Sequence, residues 1–111
     1  MKKIKVACFQ LCSSESVEKN IVMIDRMFGS INKKLDLVCL PECAAIFTES
    51  KINLNDYSDN WHEKFVNFIK DKAKKHKTDV LIGSIPYRKK NLKFLNRTIM
   101  VDSKGTEIDY Y

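Results

Sequence analysis

Glycine and proline are scarce in this chain, three and two residues among 111. With 10% aromatic residues, that scarcity excludes the low-complexity and disordered classes. No run of roughly 18 apolar residues exists, which excludes a membrane-spanning helix and leaves no membrane partner to expect. Arginine is also thin: Arg26, Arg88 and Arg97 are the only three. The net charge of +6 would suit nucleic acid, yet the usual bidentate reader of phosphates and base edges is nearly missing. Basic residues alternate with acids over 1–60. The one dense run, Lys70 to Lys77, falls on a helix whose other face is apolar. It reads as a solvated helix face, so no nucleic-acid partner is expected. Neither G-x-G-x-x-G nor a P-loop pattern occurs, and no nucleotide cofactor is expected. The basic start, Met1-Lys2-Lys3-Ile4-Lys5, precedes an apolar stretch broken by Gln10 and lacking a small-residue cleavage pattern. It reads as a strand and not a signal peptide, and a cytoplasmic location follows by default.

What remains is an ordinary globular balance, 44% hydrophobic and 31% charged, of a length that suits a single domain over 1–111. Four cysteines, Cys8, Cys12, Cys39 and Cys43, form two C-x3-C pairs. Disulfides are rare in the cytosol, and structural zinc sites need four converging ligands and more often use two-residue spacing. Cys8 and Cys39 lie inside apolar strands, where free cysteine behaves as a small buried hydrophobe. No metal is expected.

Strand periodicity is seen at Ile4–Gln10, Asp36–Leu40, Val80–Ile85 (closed by Pro86), Leu92–Asp102 and from Thr106 onward, with Ser103-Lys104-Gly105 as a hairpin turn. Ile21, Ile24, Met27, Phe28 and Ile31 recur at helical spacing behind a cap at Ser14 or Ser16. Trp61, Phe65, Phe68, Ile69 and Ala73 mark a second helix, capped by Asp59 or Asn60. Between them, 43–60 reads as a long loop with a short helical turn, placed to face a substrate. His62 and His76 are expected to be solvated. The order β-α-β-loop-α-β-β-β implies an α/β fold: a mixed sheet with helices on one face.

The most informative residues are Leu40-Pro41-Glu42. An apolar strand ends at a proline, which lacks an N–H for the ladder. A carboxylate follows at the carboxyl end of the strand, where α/β sheets form ligand crevices. Glu42 is therefore the candidate catalytic residue. Cys43 beside it points elsewhere, as sequence neighbours do, and reads as a pocket-edge or structural residue.

Five pieces in order resemble the N-terminal part of the nitrilase superfamily of carbon–nitrogen hydrolases. They are Val6-Ala7-Cys8-Phe9-Gln10-Leu11, Asn20 in the first helix, Leu37 to Glu42, Ile82-Gly83-Ser84-Ile85-Pro86, and Asn96-Arg97-Thr98 with Val101-Asp102 and Gly105. Leu95 stands where the family usually has tyrosine. The look is toward the small ω-amidase and deaminated glutathione amidase branch. The resemblance implies an α-β-β-α sandwich, of which this chain holds an incomplete part. It also implies a Glu-Lys-Cys mechanism without cofactor, acting on a small-molecule amide or nitrile. A cysteine thiolate attacks the amide or nitrile carbon, a lysine ammonium holds the developing anion, and a glutamate activates first the thiol and then water. Glu42 takes the glutamate's place, in an expected partly buried setting. The family's lysine follows the fifth strand in the pattern Lys-x-His-Leu, and its cysteine lies further on; neither matches a residue here. The chain is thus expected to be an inactive fragment. The alternative is a non-catalytic half or remnant that binds a separate C-terminal piece or a second copy of itself.

Overall fold

The computed structural model describes residues 2–111. Nine elements follow one another: β1 (Val6–Cys8), α1 (Val17–Gly29), β2 (Leu37–Leu40), α2 (Lys51–Asp56), a π-helical turn (Tyr57–Trp61), α3 (His62–His76), β3 (Asp79–Tyr87), β4 (Leu95–Val101) and β5 (Glu107–Tyr110). The five strands form one sheet in sequence order. β1, β2 and β3 pair in parallel, while β3–β4 and β4–β5 pair antiparallel. Parallel neighbours with right-handed crossovers place both connecting helical segments on the same face. The mixed α/β sheet read from the sequence is therefore the observed one.

Helix α1 begins where Ser16 accepts a hydrogen bond from the Lys19 N–H. Its buried stripe is Val17, Asn20, Ile24 and Phe28, with Ile21 and Met27 partly covered beside it. α3 contributes Phe65, Val66, Ile69 and Ala73. Between helices and sheet these meet Val38, Leu40, Val80, Ile82, Ile99 and Val101, all buried. Full burial of each large aliphatic or aromatic side chain contributes about 1.5–3 kcal/mol. α1 and α3 are also joined by an ion pair between Asp25 and Lys72.

Three boundaries differ from the sequence reading. The expected long loop over 43–60 is helical from Lys51 onward, because Ser50 caps α2 by accepting the Asn53 N–H. The helix then runs through the π-turn into α3, so Asp59 and Asn60 cap nothing. α2 buries no residue, so it has no apolar stripe to betray it. β3 continues through Pro86 to Tyr87, with Pro86 opposite Asn96. β2 pairs β3 only as far as Ile82, so Pro86 sits where one side of β3 has no strand neighbour and needs no donor there.

The two histidines are not solvated as expected. His62 lies in the seam between α3 and the β3–β4 pair. The Tyr57 hydroxyl is 3.0 Å from its Nδ1, and its ring is 5.5 Å from that of Tyr87. Burial, reinforced by the nearby Arg97 charge, holds the imidazole below its ordinary pKa, although Glu107, the Pro86 carbonyl and Glu63 oppose this. The His76 ring lies 5.3 Å from that of Phe28. Burial lowers its pKa too, with help from Lys72 and Lys75 and against Asp25. A histidine whose folded pKa is depressed binds fewer protons folded than unfolded. Stability is then complete above the unfolded value of about 6.5 and falls as the pH drops through it toward the lower folded value. Urea unfolding at pH 7.5 and 5.5 is expected to show this loss. His62→Gln should flatten the slope in that window, with His76→Gln removing a smaller part. An unchanged slope in His62→Gln would contradict the assignment.

Candidate active site

Pro41 ends β2 and the chain turns at once, with Cys43 in the left-handed region at φ 55°. Such a conformation in a residue with a Cβ costs about 1 kcal/mol or more and needs support from its surroundings. The support comes from β3. The Cys43 N–H donates to Ser84 Oγ at 3.1 Å, and the Ala44 N–H donates to the Ser84 carbonyl at 3.1 Å. Ser84 can reach both because β3 carries a bulge: the register shifts between Ile82 and Ile85. The extra residue breaks the alternation of the strand, so that Ser84 and Ile85 are buried in succession.

Gly83 opens the same bulge. A Cβ there would lie 2.3 Å from the Leu40 carbonyl oxygen and 2.6 Å from the Pro41 carbonyl carbon. The two backbones pass so closely that only glycine fits. On the other side Thr98 Oγ1 donates to the Gly83 carbonyl at 2.7 Å. Gly83, Ser84 and Thr98 thus form one scaffold beneath the turn that presents Glu42.

A second clamp holds the turn from the helix side. Asn20, buried in the apolar stripe of α1, donates through Nδ2 to the carbonyls of Ala45 and Ser14, each at 2.9 Å. Its Oδ1 accepts from the Ser14 N–H at 2.9 Å and the Ser14 hydroxyl at 3.1 Å. The Phe47 N–H in turn donates to the Ser14 carbonyl at 3.1 Å. Sequence reasoning missed these positioning roles. An asparagine on the apolar face of a helix was the available signal, since a buried amide must find partners.

Glu42 stands at the carboxyl end of β2, as the sequence indicates, but it is exposed and not partly buried. It lines an open cleft of about 480 Å³ with Leu11, Ser13, Pro41, Cys43 and Phe47. The cleft is open, and the Glu42 carboxylate meets solvent. Burial pushes the Cys43 thiol up, and the Glu42 charge adds to the effect. The thiol is thereby kept protonated, which suits a wall residue and not a thiolate nucleophile. Among the described residues the cleft wall holds no lysine and no second acid. The four cysteines do not converge, and no group of three or more potential metal ligands gathers among the described residues. No helix among them is long and apolar enough to cross a membrane.

Comparison with known proteins fits this arrangement. The family model described as carbon-nitrogen hydrolase matches residues 5–111. The chain is 25% identical over 107 residues to a deaminated glutathione amidase of Yersinia enterocolitica, covering 95% of this chain and 37% of that protein. In fold it is similar to the C. elegans NitFhit protein, with a TM-score of 0.82, 24% identity, and coverage of 96% of this chain and 26% of that one. It is likewise similar to an amidase from Nesterenkonia sp., with a TM-score of 0.79, 15% identity, and coverage of 97% and 41%. The chain therefore spans well under half the length of these relatives.

Proposed function

This chain belongs to the carbon–nitrogen hydrolase family, and from that premise we propose that it contributes the general base, Glu42, to a centre that hydrolyses the carbon–nitrogen bond of a small amide or nitrile. The observation that carries the reading is the scaffold under Glu42. Gly83, Ser84 and Asn20 commit their backbone space and hydrogen bonds to one turn, buried at 44–46 and exposed at Glu42, the one carboxylate it carries. In the mechanism that the family resemblance implies, this carboxylate takes the proton of the attacking thiol and later that of water. The lysine that steadies the anion and the nucleophilic cysteine come from residues outside these 111. The setting is cytoplasmic, and the reaction uses no cofactor.

The 111-residue chain alone is accordingly expected to release no ammonia from a simple ω-amide. Turnover by the isolated chain that Glu42→Gln abolishes would overturn its incompleteness. Mixed with a C-terminal part of a carbon–nitrogen hydrolase that supplies lysine and cysteine, the chain is expected to gain turnover with Glu42 and none with Gln. Equal rates for the two would remove Glu42 from the chemistry.

A second reading, a non-catalytic half that binds a C-terminal piece or a second copy, is favoured by one observation. The sheet face away from the helices is open, with Val6 43% exposed and a depression lined by Leu81, Thr98, Met100 and Tyr111. An open apolar sheet face favours a covering layer. Sedimentation of the purified chain as a stable monomer at micromolar concentration would count against it.

A further inference from the structure

Between Asp79 and Asp102 the chain carries no acid, yet five residues there are basic: Arg88, Lys89, Lys90, Lys93 and Arg97. All five belong to the hairpin that joins β3 to β4. The run from Lys70 to Lys77 is relieved by Asp71 and by the ion pair of Lys72 with Asp25. The hairpin has no such relief, and none of its cations forms an ion pair among the described residues. Its connection, 88–94, is braced. The Leu92 N–H donates to the Lys89 carbonyl at 3.0 Å, and Asn91 reverses the chain in the left-handed region at φ 67°. The Arg88 guanidinium lies 4.5 Å from the Phe94 ring. That of Arg97 lies against the rings of Tyr87 and Tyr110, at 3.5 and 4.0 Å. Such stacking fixes the guanidinium planes and leaves their charge.

The same hairpin exposes apolar groups. Leu92 and Leu95 are each 62% exposed, with Lys93 and the half-buried Phe94 between them. A single exposed leucine is ordinary; two within four residues, ringed by cations without a counter-charge, make an amphiphilic tip. Five unpaired cations resist burial, so this tip stays at the protein surface whatever packs on the far face of the sheet. The partner must satisfy both halves of the tip. A nucleic acid would meet the cations and offer the leucines nothing. A second copy would bring the same charge. An anionic bilayer offers phosphates to the lysines and an acyl boundary to the leucines. The lack of a spanning helix, from which no membrane partner was expected, does not bear on attachment at the surface. We propose that the β3–β4 hairpin docks this chain on the surface of an anionic phospholipid bilayer. Leu92 and Leu95 enter the interface, and Arg88, Lys89, Lys90 and Lys93 lie on the headgroups. The docking is independent of Glu42.

The test is flotation of the 111-residue chain with vesicles of phosphatidylcholine alone and of phosphatidylcholine with about one-third phosphatidylserine, at about 0.1 M salt. Binding is expected to the serine-lipid vesicles and not to the neutral ones. It should fall at least about tenfold when salt is raised to about 1 M. Lys89→Gln/Lys90→Gln/Lys93→Gln should weaken partitioning about a hundredfold, at about fivefold per charge. Leu92→Ser should weaken it about fivefold. Lys33→Gln/Lys74→Gln/Lys75→Gln removes the same charge from exposed positions off the hairpin and should weaken it by less than about fivefold. Circular dichroism of each variant shows whether it is folded. Failure of the wild-type chain to bind serine-lipid vesicles, or equal binding to neutral ones, would overturn the docking without any variant. So would undiminished binding by the folded hairpin triple variant, or an equal loss in the control. Full binding by a folded Leu92→Ser would overturn it too, since charge alone suits any polyanion.

Discussion

Gly83→Ala is expected to destabilise the chain by about 3 kcal/mol or more, enough to unfold much of a small domain of ordinary stability. The added methyl would meet the Leu40 carbonyl oxygen at 2.3 Å and the Pro41 carbonyl at 2.6–2.8 Å. All three atoms are backbone, so no side chain can rotate away. Moving β3 would break its pairing with β4, which Thr98 ties to the Gly83 carbonyl. Moving β2 would displace Val38 and Leu40 from the core. Urea unfolding followed by circular dichroism measures the loss. A cost below about 1 kcal/mol would mean that the two backbones separate easily and that the close pass does not fix the turn. Gly29 is the internal control. A Cβ there meets nothing within 4 Å, it sits in the last turn of α1, and Gly29→Ala should be neutral or slightly stabilising.

The contrast between those two glycines shows which features were legible in the sequence. Strands and helices with one buried face, such as β2 or α1, declare themselves by periodicity, because each buried residue recurs at a fixed interval. β2, β3, β4 and two helices followed from that, while β5, exposed at all four positions, followed from the Ser103-Lys104-Gly105 turn and Glu42 from the proline that ends its strand. The Gly83-Ser84 bulge did not. It inserts one residue after the buried alternation of Val80, Ile82 and Ser84, so that Ile85 is buried next to Ser84, and periodicity does not show that the Ser84 hydroxyl accepts from the Cys43 N–H. The α2 segment was hidden for the opposite reason. It buries nothing, and it is helical because Ser50 caps it and α3 continues it. Cys8, which is exposed, and Cys39, which is half-buried, were misplaced because apolar neighbours in a strand do not tell which face of the sheet a residue takes. The motif pieces marked Asn20, Gly83, Ser84 and Thr98 only as matches. Their hydrogen bonds and close contacts explain why those residue types stand there.

Asn20→Leu is expected to destabilise the chain by about 2–4 kcal/mol, despite placing an apolar side chain of similar size in an apolar stripe. The substitution would remove four hydrogen bonds at once. The Ala45 carbonyl would lose its partner in a buried position and the Ser14 N–H in a half-buried one, while the Ser14 carbonyl keeps the Phe47 N–H, and a stranded buried group costs about 1–3 kcal/mol. The damage should be directional. Amide hydrogen exchange is expected to accelerate at Phe47, whose N–H is held by the Ser14 carbonyl, and at Ala44 one turn away. The core strands β2 and β3 should lose protection only as far as global stability falls. Ser84→Ala removes just one of two bonds to the same turn, since the Ser84 carbonyl still accepts from Ala44, and should cost only about 1 kcal/mol. The two clamps grip one short segment from opposite sides, so the double variant is expected to deviate from the sum of the singles by more than about 0.5 kcal/mol. Additive costs would mean that Asn20 and Ser84 stabilise separate parts of the fold and that Glu42 is positioned by the β2 terminus alone.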